Sequence, residues 1–152
     1  MDWYETIAFF THCLPKAVAR PLNALPDGSL REIRVRAGQS IRLSTRQGET
    51  ICPCEPTPQQ VAQMAEALCE HALYARAEEQ RSGFVTLRGG HRMGLCGRVI
   101  CQGQSIRALR DISSFCIRIA GQWRGAADGL IGQLTDENGR CRSALIVDKP
   151  EV

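Results

Sequence analysis

Apolar residues recur along the chain with two different periods, which predict helices followed by strands. Residues 3–24 carry apolar groups at helical spacing and are interrupted at Pro15 and Pro21, a pattern typical of two short helices. Residues 30–36 then alternate, as LREIRVR, which predicts a strand. Glycine-containing turns separate two further predicted strands, at 41–44 and 49–52.

The first predicted strand divides its side chains between two faces. Ile33 and Val35 are predicted to point into the core, with Arg31 on the same side. The opposite face takes the remaining side chains, which are Leu30, Glu32, Arg34 and Arg36. Such alternation is typical of an antiparallel sheet with one face packed and the other open.

A helix start is clearly marked at Thr57. Thr57 and Gln60 match a capping box, and Pro58 takes the first helical position. Apolar residues follow at helical spacing, and the helical pattern runs on to Arg81, where Gly83 ends it. We expect this capped helix to pack centrally on the sheet.

The second half of the chain contains most of the predicted strands. They are expected at 84–88, 91–101, 105–109 and 113–120. A short helix around 126–134 and a final apolar run at 143–147 follow. The complete pattern predicts an α+β fold, with N-terminal helices and a mostly antiparallel mixed sheet on which the central capped helix packs.

Composition indicates an ordinary globular domain. The hydrophobic fraction is 43% and the charged fraction 23%, and no apolar run approaches the length of a membrane span. Asp2 and Glu5 stand where a secretory signal would carry positive charge, which favours a cytoplasmic location. The net charge of +3 is too small to indicate a nucleic-acid partner by itself.

The basic residues are nearly all arginine. Of 19 Lys and Arg residues, only Lys16 and Lys149 are lysine. A guanidinium group binds carboxylate or phosphate with two parallel hydrogen bonds, so this excess is consistent with anion recognition. A GC-rich genome explains the same excess without any functional cause.

The eight cysteines are expected to be free thiols, because no secretory signal precedes them. One alternative is a zinc site, for which Cys52, Cys54, Cys69 and His71 could supply four ligands. Their C-x-C and C-x-H spacings depart from the paired C-x2-C knuckles of structural zinc sites. We therefore predict no metal site.

Glycine and arginine dominate residues 83–119. Glycine permits close approach of an anion or of another strand, and neighbouring arginines can neutralise an anion. A Rossmann motif is excluded because these glycines do not open a helix, and a KH clamp is excluded because the flanks of Gly94 and Gly97 are extended. A glycine-bulged strand is the structural alternative. His91 belongs to no recognisable catalytic arrangement.

A nucleotide-hydrolysing loop cannot be found in the sequence. Such a loop requires Gly-Lys-Ser or Gly-Lys-Thr, whereas the two lysines follow Pro15 and Asp148. We therefore expect that this chain does not hydrolyse ATP and has no small-molecule substrate.

Several motifs together resemble the stage III sporulation protein AA family, over about residues 30–147. They are Glu32-Ile33-Arg34-Val35-Arg36 with Gly38, Gly83-x-x-Thr86, Gly89-Gly90-His91-Arg92-x-Gly94-x-x-Gly97-Arg98, Asp111-Ile112-Ser113-Ser114 and Ile117-Arg118-Ile119-Ala120. The resemblance implies an N-terminal recognition domain followed by a RecA-like motor, as in the type II and type IV secretion ATPases. It implies ATP and Mg as cofactors of the full-length family member and none for this chain.

The resemblance also implies a division of the chain and a role. Residues 1–142 are expected to form a recognition and assembly domain, and residues 143–152 the start of a motor domain that the chain otherwise lacks. The expected function is non-catalytic, in oligomer assembly and in coupling to a channel between mother cell and forespore. The implied partners are further copies of the full-length protein and the membrane channel proteins of the sporulation apparatus, through which the protein would lie peripheral to the membrane.

By analogy with the secretion ATPases, one set of residues is expected to face a nucleotide or another subunit. It comprises Arg88, Gly89, Gly90, His91, Arg92, Arg98 and Arg118. Surface ion pairing is the alternative for each arginine. The alternative function is a stand-alone arginine-rich nucleic-acid-binding module, which an aromatic content of 5% disfavours because few bases could be stacked.

Overall fold

The computed structural model describes residues 1–73, 77–121, 128–145 and 147. The chain divides into two compact units, Met1–Ala120 and Gly121–Val152. Among the described residues, the first unit contains a six-stranded sheet and four helices, and the second contains one helix. The predicted boundary after residue 142 stays a prediction.

Two short helices open the first unit, α1 (Trp3–Cys13) and α2 (Lys16–Asn23). Asp2 caps α1 and forms a capping box with Glu5. The predicted break at Pro15 is confirmed, whereas a break at Pro21 is wrong because Pro21 lies inside α2. Val18 and Leu22 on the same helix are fully buried, and their packing offsets the hydrogen bond that the proline cannot donate.

The strands pair antiparallel throughout the sheet, in the order β3-β2-β1-β6-β5-β4. Their bounds are β1 (Leu30–Arg36), β2 (Ile41–Thr45), β3 (Gly48–Cys52), β4 (Phe84–Thr86), β5 (Arg92–Gln102) and β6 (Ser105–Arg118). The predicted α+β class is confirmed. The first three strands form the predicted meander, and β6 joins them to the second half of the sheet.

The predicted faces of β1 are correct except at Leu30. A register shift between Leu30 and Glu32 interrupts the pairing with β2, so Leu30 turns inward and is only 3% exposed. Ile33 and Val35 are buried as predicted. Arg34 and Arg36 lie on the opposite, open face.

The capped helix α3 (Pro58–Leu68) begins as predicted, with both hydrogen bonds of the Thr57–Gln60 capping box present, and packs on β6 and β1. Its predicted extension to Arg81 is wrong. Glu70 and His71 adopt left-handed backbone angles, with φ of 53° and 60°, which cannot continue a right-handed helix. A separate helix, α4 (Ala77–Arg81), precedes Gly83.

The second half departs from prediction at three places. The strands predicted at 105–109 and 113–120 are one strand, β6, which bulges at Asp111 with φ of 48° instead of ending. Arg88–Gly90 form a 3-10 turn, so β4 stops at Thr86. Ser143 to Leu145 lie outside any strand, and Ile146 falls outside the described residues.

The predicted helix around 126–134 is present as α5 (Asp128–Leu134) in the second unit, while residues 122–127 fall outside the described residues. Every helix in the described ranges is too short or too polar to cross a bilayer.

One face of the sheet builds the core of the first unit. Cross-strand pairing aligns buried residues across five strands, and these are Leu43, Ile33, Ile117, Met93 and Val85. The helices cover this face with buried apolar side chains, among them Phe10, Val18, Leu22 and Leu68. On the opposite face, which we call the open face, Arg34, Arg42 and Arg118 have exposed side chains.

Candidate functional site

The open face of the sheet is rich in arginine. Strand pairing places two rows of side chains across it. The first row is Ile51, Arg42, Arg34, Cys116, Gly94 and Phe84. The second row is Glu49, Ser44, Glu32, Arg118, Arg92 and Thr86. The described residues of these two rows and Arg36 contribute five arginines and two carboxylates, an excess of positive charge.

A trough of about 490 Å³ crosses the open face. Its basic walls come from Arg34, Arg36 and Arg42, and Gly94 lies in its lining where the absence of a side chain leaves space. A Cβ atom added at Gly94 would meet nothing nearer than the Cys116 carbonyl oxygen, 3.8 Å away. The remaining polar lining comes from hydroxyl, amide and thiol groups, those of Gln39, Ser40, Cys96, Ser114 and Cys116.

Glu32 and Glu49 neutralise only part of the arginine charge. Glu32 accepts a hydrogen bond from Arg34 and lies 3.9 Å from the Arg118 guanidinium. Glu49 pairs with Arg42 at 2.7 Å. The Arg36 guanidinium forms no hydrogen bond or ion pair with any residue in the described ranges, so its five N–H donors are available to an anion.

Arg92 and Arg118 lie directly opposite each other on β5 and β6. Like charges in that arrangement destabilise a sheet unless something neutralises them. Arg92 is held over the ring of Phe84, with its guanidinium carbon 3.9 Å from the ring centroid, and Arg118 is 83% exposed. The arrangement is suited to a shared anion, such as a phosphate or a carboxylate.

The other predicted site residues lie elsewhere. Arg98 is on β5 beyond the residues that pair with β4, and it forms an ion pair of 2.7 Å with Asp111 in which both side chains are 69% exposed. Arg88, Gly89 and Gly90 form the 3-10 turn before β5, where both glycines have positive φ. The predicted set therefore does not form a single cluster.

His91 is buried and supports the fold. Its ring is 2% exposed, lies 5.2 Å from the ring of Phe10, and accepts a hydrogen bond at Nδ1 from the Ala120 backbone N–H at 3.0 Å. Burial lowers the pKa of His91, and the N-terminal ammonium of Met1 lowers it further. A neutral, enclosed imidazole of this kind cannot reach an anion on the open face.

The cysteines of the zinc alternative do not converge. Among residues 1–73, 77–121, 128–145 and 147, no three His, Cys, Asp or Glu side chains are placed to hold a metal ion, and Cys52, Cys54, Cys69 and His71 all lie in these ranges. Cys52 and Cys69 are instead buried in the core. Burial raises the pKa of the Cys52 thiol, which keeps it protonated.

Sequence reasoning missed Arg34, Arg36 and Arg42 as site residues. The alternation of residues 30–36 already placed Arg34 and Arg36 on one face, and residues 41–44 placed Arg42 similarly. The missing information was the pairing of β1 with β6, which brings these side chains beside Cys116 and Gly94. No local pattern specifies a pairing between strands so far apart in sequence.

The fold and this face define an α+β domain that presents arginines on an uncovered antiparallel sheet. The family model for sporulation stage III, protein AA matches residues 14–152. The chain belongs to this family.

Two known proteins are similar to the chain. Stage III sporulation protein AA of Bacillus subtilis (strain 168) is 33% identical over 141 residues, which cover 91% of this chain and 45% of that protein. The chain therefore spans less than half the length of this relative. The crystal structure of the VirB11 ATPase from the Brucella suis type IV secretion system matches with a TM-score of 0.45 and 14% identity, over 84% of this chain and 34% of that one.

Proposed function

We propose that this chain is a non-catalytic N-terminal domain of a sporulation ATPase, which serves oligomer assembly and coupling to a channel between mother cell and forespore. The family assignment supports the sporulation setting. The observation that carries the proposal is the arginine-rich open face, because Arg34, Arg36 and Arg42 contribute nothing to the core yet line one trough.

The open face would act by binding an anionic group of a neighbouring domain or subunit. Guanidinium groups match phosphate and carboxylate oxygens in charge and geometry. The arginines of the open face match a phosphate in charge. The chain has no Gly-Lys-Ser or Gly-Lys-Thr, so its sequence does not provide a loop that holds a nucleotide for hydrolysis. We therefore assign ATP and Mg to the motor of the full-length protein, with residues 143–152 as its start, and no step of hydrolysis to this chain.

Purified chain should show no turnover of Mg-ATP in a coupled phosphate-release assay. This expectation follows from the missing phosphate loop and holds whether or not the arginines bind nucleotide weakly. Turnover that copurifies with the chain and disappears on substitution of Arg36 would contradict a non-catalytic role.

The role of the open face can be tested in the bacterium that carries the gene. The double substitution Arg92→Gln and Arg118→Gln should lower the yield of heat-resistant spores while protein abundance stays unchanged. The matched control is Lys16→Gln and Arg20→Gln, which removes the same charge from helix α2. Equal spore yields from the two strains would refute the proposal.

The nucleic-acid alternative is tested separately. The open face contains a single aromatic side chain in its two rows, that of Phe84, whereas single-strand binding uses stacking on several. Salt-dependent binding of a single-stranded RNA that is lost with Arg92→Gln and Arg118→Gln would favour that alternative over assembly.

A further inference from the structure

Strands β5 and β6 extend past the rest of the sheet as a two-stranded ribbon. On one side β4 pairs only with Arg92 to Gly94, and on the other β1 pairs only with Ser114 to Arg118. Residues 98–110, here called the β5–β6 arm, therefore have no further strand beside them within the described part of the chain. A ribbon of two strands is only marginally stable by itself. Within the described residues, the exposed surface of the arm pairs with no other strand of the sheet.

The arm exposes apolar side chains on both of its faces. Val99 is 48% exposed, Ile100 is 38% exposed and Ile106 is 44% exposed. Val99 pairs with the inward-facing Leu109, whereas its neighbour Ile100 points to the opposite face. Three large β-branched side chains are therefore exposed close to one turn. This is more exposed apolar surface than a solvated hairpin requires.

The charge of the arm is purely positive. It carries Arg98, Arg107 and Arg110, and the sequence contains no Asp or Glu from residue 80 to residue 110. The nearest carboxylate is that of Asp111 at the foot of the arm, where it pairs with Arg98. The turn at the tip, Gln102-Gly103-Gln104-Ser105, is uncharged. An uncharged, partly apolar tip is thus followed by arginines nearer the sheet.

We propose that the β5–β6 arm binds the surface of an anionic lipid bilayer. Apolar groups enter such an interface to a depth of about 5–10 Å, while arginines remain with the lipid phosphates. The five residue steps from Arg98 to Gly103 span roughly 17 Å as a strand, which is long enough to separate the tip from the arginine at its foot.

The distribution of the apolar groups favours a bilayer over a protein partner. A groove on a protein covers one face of a ribbon and leaves the other in water. A bilayer interface surrounds an inserted tip, so it buries Ile100 and Val99 together although they lie on opposite faces. The positive charge of the arm complements anionic headgroups, since residues 98–110 include no acidic residue and Asp111 at the foot is paired with Arg98.

Vesicle flotation tests this binding directly. The purified chain should float with vesicles of phosphatidylcholine and phosphatidylglycerol and remain at the bottom with phosphatidylcholine alone. Raising the salt from about 0.1 M to 0.5 M should weaken the binding, since screening shortens the reach of the arginine charges. Absence of flotation with the anionic vesicles at the lower salt would overturn the proposal.

Matched substitutions locate the contact. Arg107→Gln should weaken binding about fivefold, the effect of one basic residue near an anionic surface. The double substitution Ile100→Ser and Ile106→Ser should weaken it at least about tenfold, because each removes several inserted carbon groups. The controls are Arg20→Gln on α2 and Ile131→Ser on α5, where Ile131 is 52% exposed, and both should bind as the parent does.

A thermal melt of each variant separates loss of binding from loss of folding. Vesicle binding that the arm substitutions leave unchanged, or that the controls reduce equally, would overturn the assignment to the arm. Binding of the arm to a purified protein partner without any vesicle binding would do the same. The outcome is independent of the spore-yield test, because that test alters the open face and this one alters the arm.

Discussion

His91 holds the last residue of the first compact unit in place. Its Nδ1 atom accepts a hydrogen bond from the Ala120 backbone N–H at 3.0 Å, and Ala120 is where Met1–Ala120 ends. The proton of the neutral ring therefore sits on Nε2, which has no hydrogen-bond partner among the described residues. The site accommodates only the neutral ring. Protonation of Nδ1 would remove the acceptor of the hydrogen bond from Ala120 and place a charge in the core.

Stability should consequently fall as the pH is lowered through the titration of His91. Burial, and secondarily the N-terminal ammonium, lower the pKa of the folded state below the ordinary value of 6.5. Between the two pKa values the unfolded chain binds more protons, so the stabilisation is complete above about pH 6.5 and is lost as the pH falls through the folded pKa. Urea unfolding between about pH 7.5 and pH 5 measures this slope.

His91→Gln should remove this part of the pH dependence and lower the free energy of unfolding at neutral pH by about 1–3 kcal/mol, through the disturbed bond to Ala120. His12→Gln on the exposed face of α1 is the matched control and should keep the slope of the parent. A slope that survives in His91→Gln would assign the pH dependence to another group.

Gly97 should not tolerate any side chain. A Cβ atom at this position would lie 2.5 Å from the Arg110 carbonyl oxygen and 3.0 Å from that of Asp111, because the bulge of β6 passes directly over it. Gly97→Ala should therefore lower the free energy of unfolding by about 2 kcal/mol or more, measured in urea. Gly94→Ala on the same strand should change it by less than about 1 kcal/mol, since its Cβ atom has space. Equal effects of the two substitutions would contradict the bulge.

Sequence patterns predicted the local features of the fold and missed those that depend on tertiary packing. The alternation of β1 from Arg31 to Arg36 and the capping box at Thr57 are local patterns, and both were predicted correctly. The bulge at Asp111 and the left-handed Glu70 and His71 occur at residues that rarely adopt such angles, so no local signal marks them. Tertiary packing determines them.

The candidate site, too, could be predicted from the sequence only in part. The two-faced character of β1 was visible in its sequence, whereas the trough required the pairing of β1 with β6, between segments separated by about half the chain. The individual arginines predicted at the glycine-rich segment were divided among the open face, the 3-10 turn and the arm, because the turn at Gly89 and the β6 bulge at Asp111, opposite Gly97, redirect the backbone between them.

Glu79 should protect the edge of the sheet at β4. Its carboxylate accepts a hydrogen bond of 2.8 Å from the Thr86 backbone N–H. Because β4 is the last strand of the sheet, Glu79→Ala should cost about 1 kcal/mol in urea unfolding and increase self-association by light scattering. Glu78→Ala is the matched control, as the Glu78 side chain is 94% exposed and its carboxylate forms a 3.4 Å ion pair with Arg81. Indistinguishable behaviour of the two variants would show that the bond is dispensable.

Glu32 should control the reactivity of Cys116 on the open face. Burial raises the pKa of the Cys116 thiol, the charge of Glu32 and its hydrogen bond raise it further, and Arg34 and Arg118 oppose this rise. Glu32→Gln removes the raising charge and leaves both arginines, so the pKa should fall. Since the thiolate is the reactive species, alkylation of Cys116 at about pH 8 should accelerate.

Alkylation with iodoacetamide, followed by peptide mass spectrometry, resolves Cys116 from the other cysteines. Glu49→Gln is the matched control, because it also removes a carboxylate from the open face. Glu49 pairs with Arg42, which lies on the side of β1 away from Cys116. Cys116 should react at the parental rate in that variant. Slower alkylation in Glu32→Gln would mean that Glu32 chiefly holds Arg34 and Arg118 near the thiol, so that losing it withdraws their positive charge as well.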